Sequence, residues 1–142
     1  MTPELAFSAA NLVAVLSWGL LVALPRRRWV SDTVAGIGVP ALLAAIYVML
    51  IATNWSSSSG GFSTLANVAL LFANPWMLLA GWVHYLCFDL LVGCWAVRDA
   101  RERGVPHPLV VPCLVLTFML GPAGWLLYRA IRSGHRRPGV ST

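Results

Sequence analysis

An ionisable carboxyl group, Asp89, lies halfway along the apolar stretch of residues 81–99, GWVHYLCFDLLVGCWAVRD, close to His84 and Tyr85. A charge inside hydrocarbon costs about 2.5–3.5 kcal/mol on insertion scales, so Asp89 should face a bundle interior and have a partner or a function. It can exchange a proton with a ligand, or it can join helices as a protonated hydrogen-bonding group. Tyr85 precedes Asp89 by one helical turn. We predict Asp89 as the leading acid or base, with His84 and Tyr85 as helpers, and packing roles stay open for all three.

Other polar side chains fall at similar depths when residues are counted inward from the arginine-rich ends at about 1.5 Å each. The count places Ser17 and Thr117 at the level of Asp89. It places Asn11 at the level of His84, as its natural neighbour. We therefore predict a ligand-binding set around this polar plane: Asn11, Ser17, Trp82, Thr117 and Pro122.

The same residues do not form a convincing metal or haem site. Coordination by His84, Asp89 and His107 would need three converging side chains, but their spacing is poor and His107 lies at the rim between two prolines. A haem would lack a second histidine at depth, so no metal and no cofactor is predicted. Asp99, among arginines, is expected in a solvated ion-pair cluster at the rim. Small buried apolar roles are expected for the cysteines, Cys87, Cys94 and Cys113.

The elements that must position these groups are membrane helices. Of the 142 residues, 58% are hydrophobic and only 11% are charged, whereas about a quarter of a typical soluble domain is charged. The chain is too short for a separate soluble catalytic domain, and a spanning helix needs about 20 apolar residues. We predict an all-α, single-domain bundle of four transmembrane helices, with both termini on one side and spans at residues 5–24, 34–53, 76–97 and 109–128.

Several local signals refine this topology. Ser31 and Asp32 are expected to begin the second span as capping residues. Residues 63–73 are too short to cross a bilayer and predict an interfacial or re-entrant helix between spans two and three, with Leu65, Ala69 and Phe72 on one face. Prolines and glycines predict that the fourth span is kinked or partly unwound, at Pro112 and at Gly121-Pro122.

The net charge of +5 comes from arginines that border the apolar runs, as orientation signals do. Their distribution favours outside termini and cytoplasmic arginine loops, and it argues against nucleic-acid binding. A bacterial inner membrane is favoured because no plastid transit extension is present. The basic residues form three groups: Arg26, Arg27 and Arg28; Arg98, Arg101 and Arg103; and Arg129, Arg132, Arg136 and Arg137.

Two blocks in this order, GWVHYLCFDLLVGCWAVRDARERGVPH and PCLVLTFMLGPAGWLLY, carry a resemblance. With them the chain resembles the abscisic-acid-deficient-four-like family, small membrane proteins that include the plant factor for neoxanthin synthesis. The match is strongest over residues 81–128. The resemblance implies a plastid membrane for the plant members and the isomerisation of an epoxycarotenoid, which needs an acid and a base but no redox cofactor.

Three functions are thus open for this chain. The first is binding or isomerisation of a carotenoid or related isoprenoid by acid/base chemistry at Asp89, with membrane lipids as the surrounding medium. The second is a non-catalytic membrane scaffold or subunit whose polar residues serve helix packing or dock a partner enzyme or a second copy. The third is a small transporter or proton path.

Overall fold

The computed structural model describes residues 2–135, and within this range every regular element is helical, which confirms the all-α prediction. Arg136 and Arg137 of the third basic group lie outside the described residues. In chain order the elements are α1 (Pro3–Ala23), a π-helical segment (Val30–Gly38) continued by α2 (Val39–Asn54), a 3-10 turn (Trp55–Ser57), α3 (Leu65–Phe72), α4 (Pro75–Arg103), α5 (His107–Leu120) and α6 (Pro122–Ser133).

Three helices of the described chain are long and apolar enough to cross a membrane: Pro3–Ala23, Val30–Ser57 and Pro75–Arg103. They coincide with the first three predicted spans. In α4, 50% of an apolar stretch of 18 residues is buried, against 28% of the corresponding stretch in each of the other two helices. Accordingly α4 is the central helix, and it contributes to both clusters of buried apolar side chains.

Helix ends are set by capping residues and prolines. Thr2 caps α1 by accepting a hydrogen bond from the Leu5 amide, and Asn74 caps α4 by accepting one from the Trp76 amide. At its other end α4 stops at Gly104, whose φ of +69° favours glycine. The α4–α5 turn that follows is short, so α5 must run back antiparallel to α4.

The second span does not begin as predicted. Trp29 precedes the π-helical segment without a side-chain cap, and Ser31 and Asp32 lie inside that segment. There is no room for a side chain on Gly36, because a β-carbon would overlap the carbonyl of Ser31. Ser31 and Asp32 of this π-helical segment face Arg101 of α4. Arg101 Nη2 lies 2.6 Å from the Ser31 hydroxyl and 3.0 Å from the Asp32 carboxylate.

The largest correction concerns residues 109–128, which do not form one span. A β-carbon on Gly124 would overlap Thr117, and Tyr128 reaches Asp99 near the end of α4. Such contacts require α6 to fold back along α5. The described C-terminal part of the chain therefore ends on the side opposite to the N-terminus, and the prediction of both termini on one side is wrong.

The break that makes this hairpin lies at Gly121, with φ +44° and ψ −96°, followed by Pro122. The predicted interruption at Gly121-Pro122 is thus confirmed. At Pro112, by contrast, α5 continues without a break. Because α6 turns back, the described arginines collect at one end of the molecule, called here the arginine end: Arg26, Arg27, Arg28, Arg98, Arg101, Arg103, Arg129 and Arg132.

The short helix between spans two and three is α3, capped by Thr64, which accepts a hydrogen bond from the Asn67 amide. It packs against α4, and Phe72 lies beside Gly81. Leu71 is its buried residue. The predicted face of Leu65, Ala69 and Phe72 is exposed.

Candidate functional site

Asp89 lies midway along α4 and faces the tip of the α5–α6 hairpin. A β-carbon on Gly121 would lie 2.9 Å from Asp89 Oδ1. The other carboxyl oxygen, Oδ2, is buried without a hydrogen-bond partner among the described residues. Burying a polar atom without a hydrogen-bond partner costs free energy. Asp89 Oδ2 is such an atom, so its hydrogen-bonding capacity is unused.

Tyr85 connects this carboxyl group to the rest of the site. Its hydroxyl donates to the Phe118 carbonyl at 3.1 Å and interacts with the Asp89 carboxyl group one turn away. Inside a continuous helix that carbonyl would accept from residue 122, but Pro122 has no N–H. The break in the α5–α6 hairpin thus supplies the acceptor that orients Tyr85.

Trp18 closes the same region from α1. Its ring packs on Phe118 with centroids 5.7 Å apart and contacts Gly93, where no larger side chain would fit. Its Nε1 is buried and, like Asp89 Oδ2, has no partner in residues 2–135. Two unpaired polar atoms therefore lie in the interior near the hairpin tip.

An apolar groove of about 610 Å³ runs between α1, α3 and the first half of α4, and it reaches Tyr85. Trp82 forms one wall, held by a hydrogen bond of 2.8 Å from its Nε1 to the Asn11 side chain. Asp89 does not line this groove, so Tyr85 separates it from the carboxyl group. Representative lining residues are Phe7, Ser8, Phe72, Leu78, Trp82 and Tyr85.

The predicted polar plane is not formed as a connected set. The Ser17 hydroxyl donates to the Val13 carbonyl at 2.8 Å, and the Thr117 hydroxyl donates to the Cys113 carbonyl at 2.7 Å. Each is satisfied within its own helix, where the carbonyl one turn earlier is always in reach. Neither hydroxyl is hydrogen-bonded to Asp89 among the described residues, so the three side chains do not form a connected site.

His84 also departs from its predicted neighbour. Asn11 bonds Trp82, whereas the exposed His84 ring packs beside Tyr47 and Phe88, with centroids 5.6 and 4.6 Å away. His84 therefore faces α2 and lies outside the groove lining. Of the predicted ligand-binding set, Trp82 lines the groove, Asn11 supports it, and Pro122 forms the hairpin tip.

Asp99 is a buried hub, not the solvated rim residue that was expected. It is only 6% exposed, and its carboxylate accepts from Tyr128 at 2.8 Å, from Arg132 at 2.7 and 3.0 Å, and from Arg103 at 3.1 Å. Hydrogen bonding to Asp99 raises the pKa of the Arg132 guanidinium. Arg101, predicted in the same cluster, pairs with Asp32 instead. The sequence signal missed here is Tyr128 and Arg132 at i, i+4, which present a hydroxyl and a guanidinium on one face of α6.

The remaining predicted residues behave as structural groups. His107 Nε2 lies 3.0 Å from the Val22 carbonyl and ties the start of α5 to the end of α1. Among residues 2–135, no group of three histidine, cysteine or acidic side chains could hold a metal ion. The three cysteines are buried and free, as expected: Cys87, Cys94 and Cys113.

The model of a family described as ABA DEFICIENT 4-like matches residues 5–128. No curated protein and no solved structure matches the chain.

Proposed function

Because the chain belongs to the ABA DEFICIENT 4-like family, we propose that it is a membrane protein that binds a carotenoid or related isoprenoid and isomerises it by proton transfer. The observation that carries the proposal is the apolar groove ending at Tyr85, with the Asp89 carboxyl group behind that tyrosine and its Oδ2 unpaired among residues 2–135. Apolar pockets with a few convergent polar groups are typical of ligand sites.

In this proposal α1, the α2 helix with its π-helical start, and α4 cross the bilayer. The α5–α6 hairpin enters from the arginine end and turns near mid-depth, since α5 rises only about 21 Å against about 30 Å of hydrocarbon. The positive-inside rule directs the arginine end to the cytoplasm, in a bacterial inner membrane, and the N-terminus to the opposite side. On that side α3 lies at the interface over the groove.

Tyr85 is the residue that would touch the ligand. Its hydroxyl donates a proton to a ligand oxygen, such as that of an epoxide, as the carbon–oxygen bond breaks, and Asp89 returns a proton to Tyr85. The resulting Asp89 carboxylate, through Tyr85, takes up the proton lost from the adjacent carbon. One proton enters and one leaves, so the reaction is an isomerisation without a redox step.

Retained pigment tests binding. The chain is produced in carotenoid-forming bacteria and purified in mild detergent, and the bound pigment is quantified by absorbance and chromatography. Leu78→Trp fills the groove and should weaken retention about tenfold, a change of about 1.4 kcal/mol. Leu126→Trp is the matched control, because Leu126 is an exposed leucine of α6 outside the groove. Equal retention by both variants would contradict the groove assignment.

Product formation tests the chemistry. Tyr85→Phe and Asp89→Asn should keep pigment binding and lose conversion, typically by a factor of about 10²–10⁴ for an acid/base group. His84→Asn should convert normally, because that ring lies against Tyr47. Normal conversion by Asp89→Asn in correctly inserted protein would refute the assigned role.

The second candidate function is a scaffold that packs helices or docks a partner enzyme or a second copy. It is favoured by the Tyr85 hydroxyl being already bonded to Phe118 and by the absence of Asp89 from the groove lining. Under this alternative, purified protein retains no pigment and Leu78→Trp has no effect on it.

A further inference from the structure

A second cavity, of about 360 Å³, lies at the arginine end, where the loop after α1, the end of α4 and the start of α5 meet. It shares no lining residue with the apolar groove. Its charged or ionisable lining consists of Arg26, Arg101 and His107, with no carboxylate among the lining residues. Apolar side chains of Val97, Val105 and Val110 complete the surface.

Arg101 lines this cavity, and its guanidinium is only partly hydrogen-bonded. Its Nη2 is engaged with Ser31 and Asp32, whereas Nη1 is buried without an acceptor among residues 2–135. The ion pair to Asp32 holds the guanidinium plane in place. A guanidinium held in place at the wall of a cavity is suited to a phosphate oxygen.

The start of α5 adds to the positive potential, and His107 lies there. The His107 ring is anchored by Nε2 to the Val22 carbonyl, which can only accept, so its other nitrogen is left for a second partner. His107 is also the first residue of α5, so the positive end of that helix dipole lies at this cavity. The ion pairs of Asp32 and Asp99 take up Arg101, Arg103 and Arg132, and none of them involves Arg26.

We propose that this cavity binds the phosphate diester of an anionic phospholipid from the leaflet at the arginine end. Basic pockets between helices on the cytoplasmic side of a membrane are suited to anionic headgroups. The valine surface favours a lipid over free phosphate, because it can cover the glycerol and the first acyl methylenes. The assignment does not depend on the function proposed for the groove.

Native mass spectrometry in detergent tests the site, with phosphatidylglycerol as the probe and phosphatidylcholine as the neutral comparison. Arg26→Gln should weaken phosphatidylglycerol binding about fivefold, the effect of one basic residue near a membrane surface. Arg26 is exposed in a loop, so the variant should fold normally, and Arg26→Lys should recover most of the binding. Arg129→Gln is the matched control at the same end, since Arg129 stacks over Trp125 away from the cavity.

Each other outcome overturns the proposal. Equal weakening by Arg26→Gln and Arg129→Gln would mean general surface attraction without a site. Equal binding of both lipids would remove the role of the phosphate charge. Displacement of phosphatidylglycerol by millimolar inorganic phosphate would identify a free-anion site, and no retained lipid at all would identify an empty cleft.

Discussion

Substituting Gly121 with alanine tests the contact between the hairpin tip and Asp89. The new methyl group would lie 2.9 Å from Asp89 Oδ1 on a backbone with φ +44° and ψ −96°. Overpacking in a filled interior typically costs about 1–3 kcal/mol, and a positive φ outside the left-handed helical region costs a non-glycine residue about 1–3 kcal/mol. We expect Gly121→Ala to lower the free energy of unfolding by about 2–6 kcal/mol.

The two contributions can be separated. Gly104 has φ +69° and ψ +24°, with nothing within 4 Å of an added β-carbon, so Gly104→Ala measures the cost of a left-handed backbone without a clash and gives a lower bound for the backbone cost at Gly121. Asp89→Ala removes the atoms that the new methyl group would meet, so Gly121→Ala should cost at least about 1 kcal/mol less in that background. Unfolding is measured in mild detergent for the wild type, both single variants and the double variant. Additive costs of Gly121→Ala and Asp89→Ala would refute the contact.

Two further predictions concern the arginine end. Asp99→Asn should destabilise the protein by about 3–5 kcal/mol, as expected when one partner of a buried ion pair is removed. In the same unfolding assay Arg129→Gln should cost less than about 1 kcal/mol. Similar costs for the two variants would refute the stabilising role of the Asp99 hydrogen bonds. Ser133→Cys should react with a membrane-impermeant maleimide from the same side as Arg27→Cys and from the side opposite to Ser56→Cys, because α6 returns to the arginine end. The native cysteines are buried and should not react. Labelling of Ser133→Cys from the same side as Ser56→Cys would contradict the hairpin and indicate a fourth crossing of the membrane.

The first three spans could be predicted because length and hydropathy are enough to define a crossing. The same criterion failed for residues 109–128, since an apolar run of sufficient length can be either one helix or a hairpin of two short ones. Pro122 marked a possible break because it lacks an N–H, but Pro112 lacks one too and α5 continues through it. The direction taken after the break depends on the backbone angles of Gly121, and glycine permits too many conformations for the sequence to define them.

The prediction that the polar side chains form one connected site failed for a related reason. Counting depth along straight helices ignores rotation about the helix axis, which decides whether two residues at one level face each other. It also ignores the carbonyls of the same helix, which satisfied both Ser17 and Thr117. The inward orientation of Asp89 was predictable, because an ionisable group in a span has few other acceptable positions. Its neighbour Gly121 was predicted as part of a helix interruption, but a glycine has no side chain that could have indicated a contact with Asp89.

The two aspartates of α4 together explain why α6 lies where it does. Asp89 and Asp99 are about 15 Å apart along α4, and Gly121 and Arg132 are about 16 Å apart along α6. Asp89 meets the N-terminal end of α6 at Gly121, and Asp99 binds Arg132 near its C-terminal end. A carboxyl group at a helix N-terminus and a cation in its last turn both match the helix dipole. The ion pair at the rim therefore fixes the register in which the hairpin tip reaches Asp89, and a change at Asp99 should disturb the candidate site from a distance.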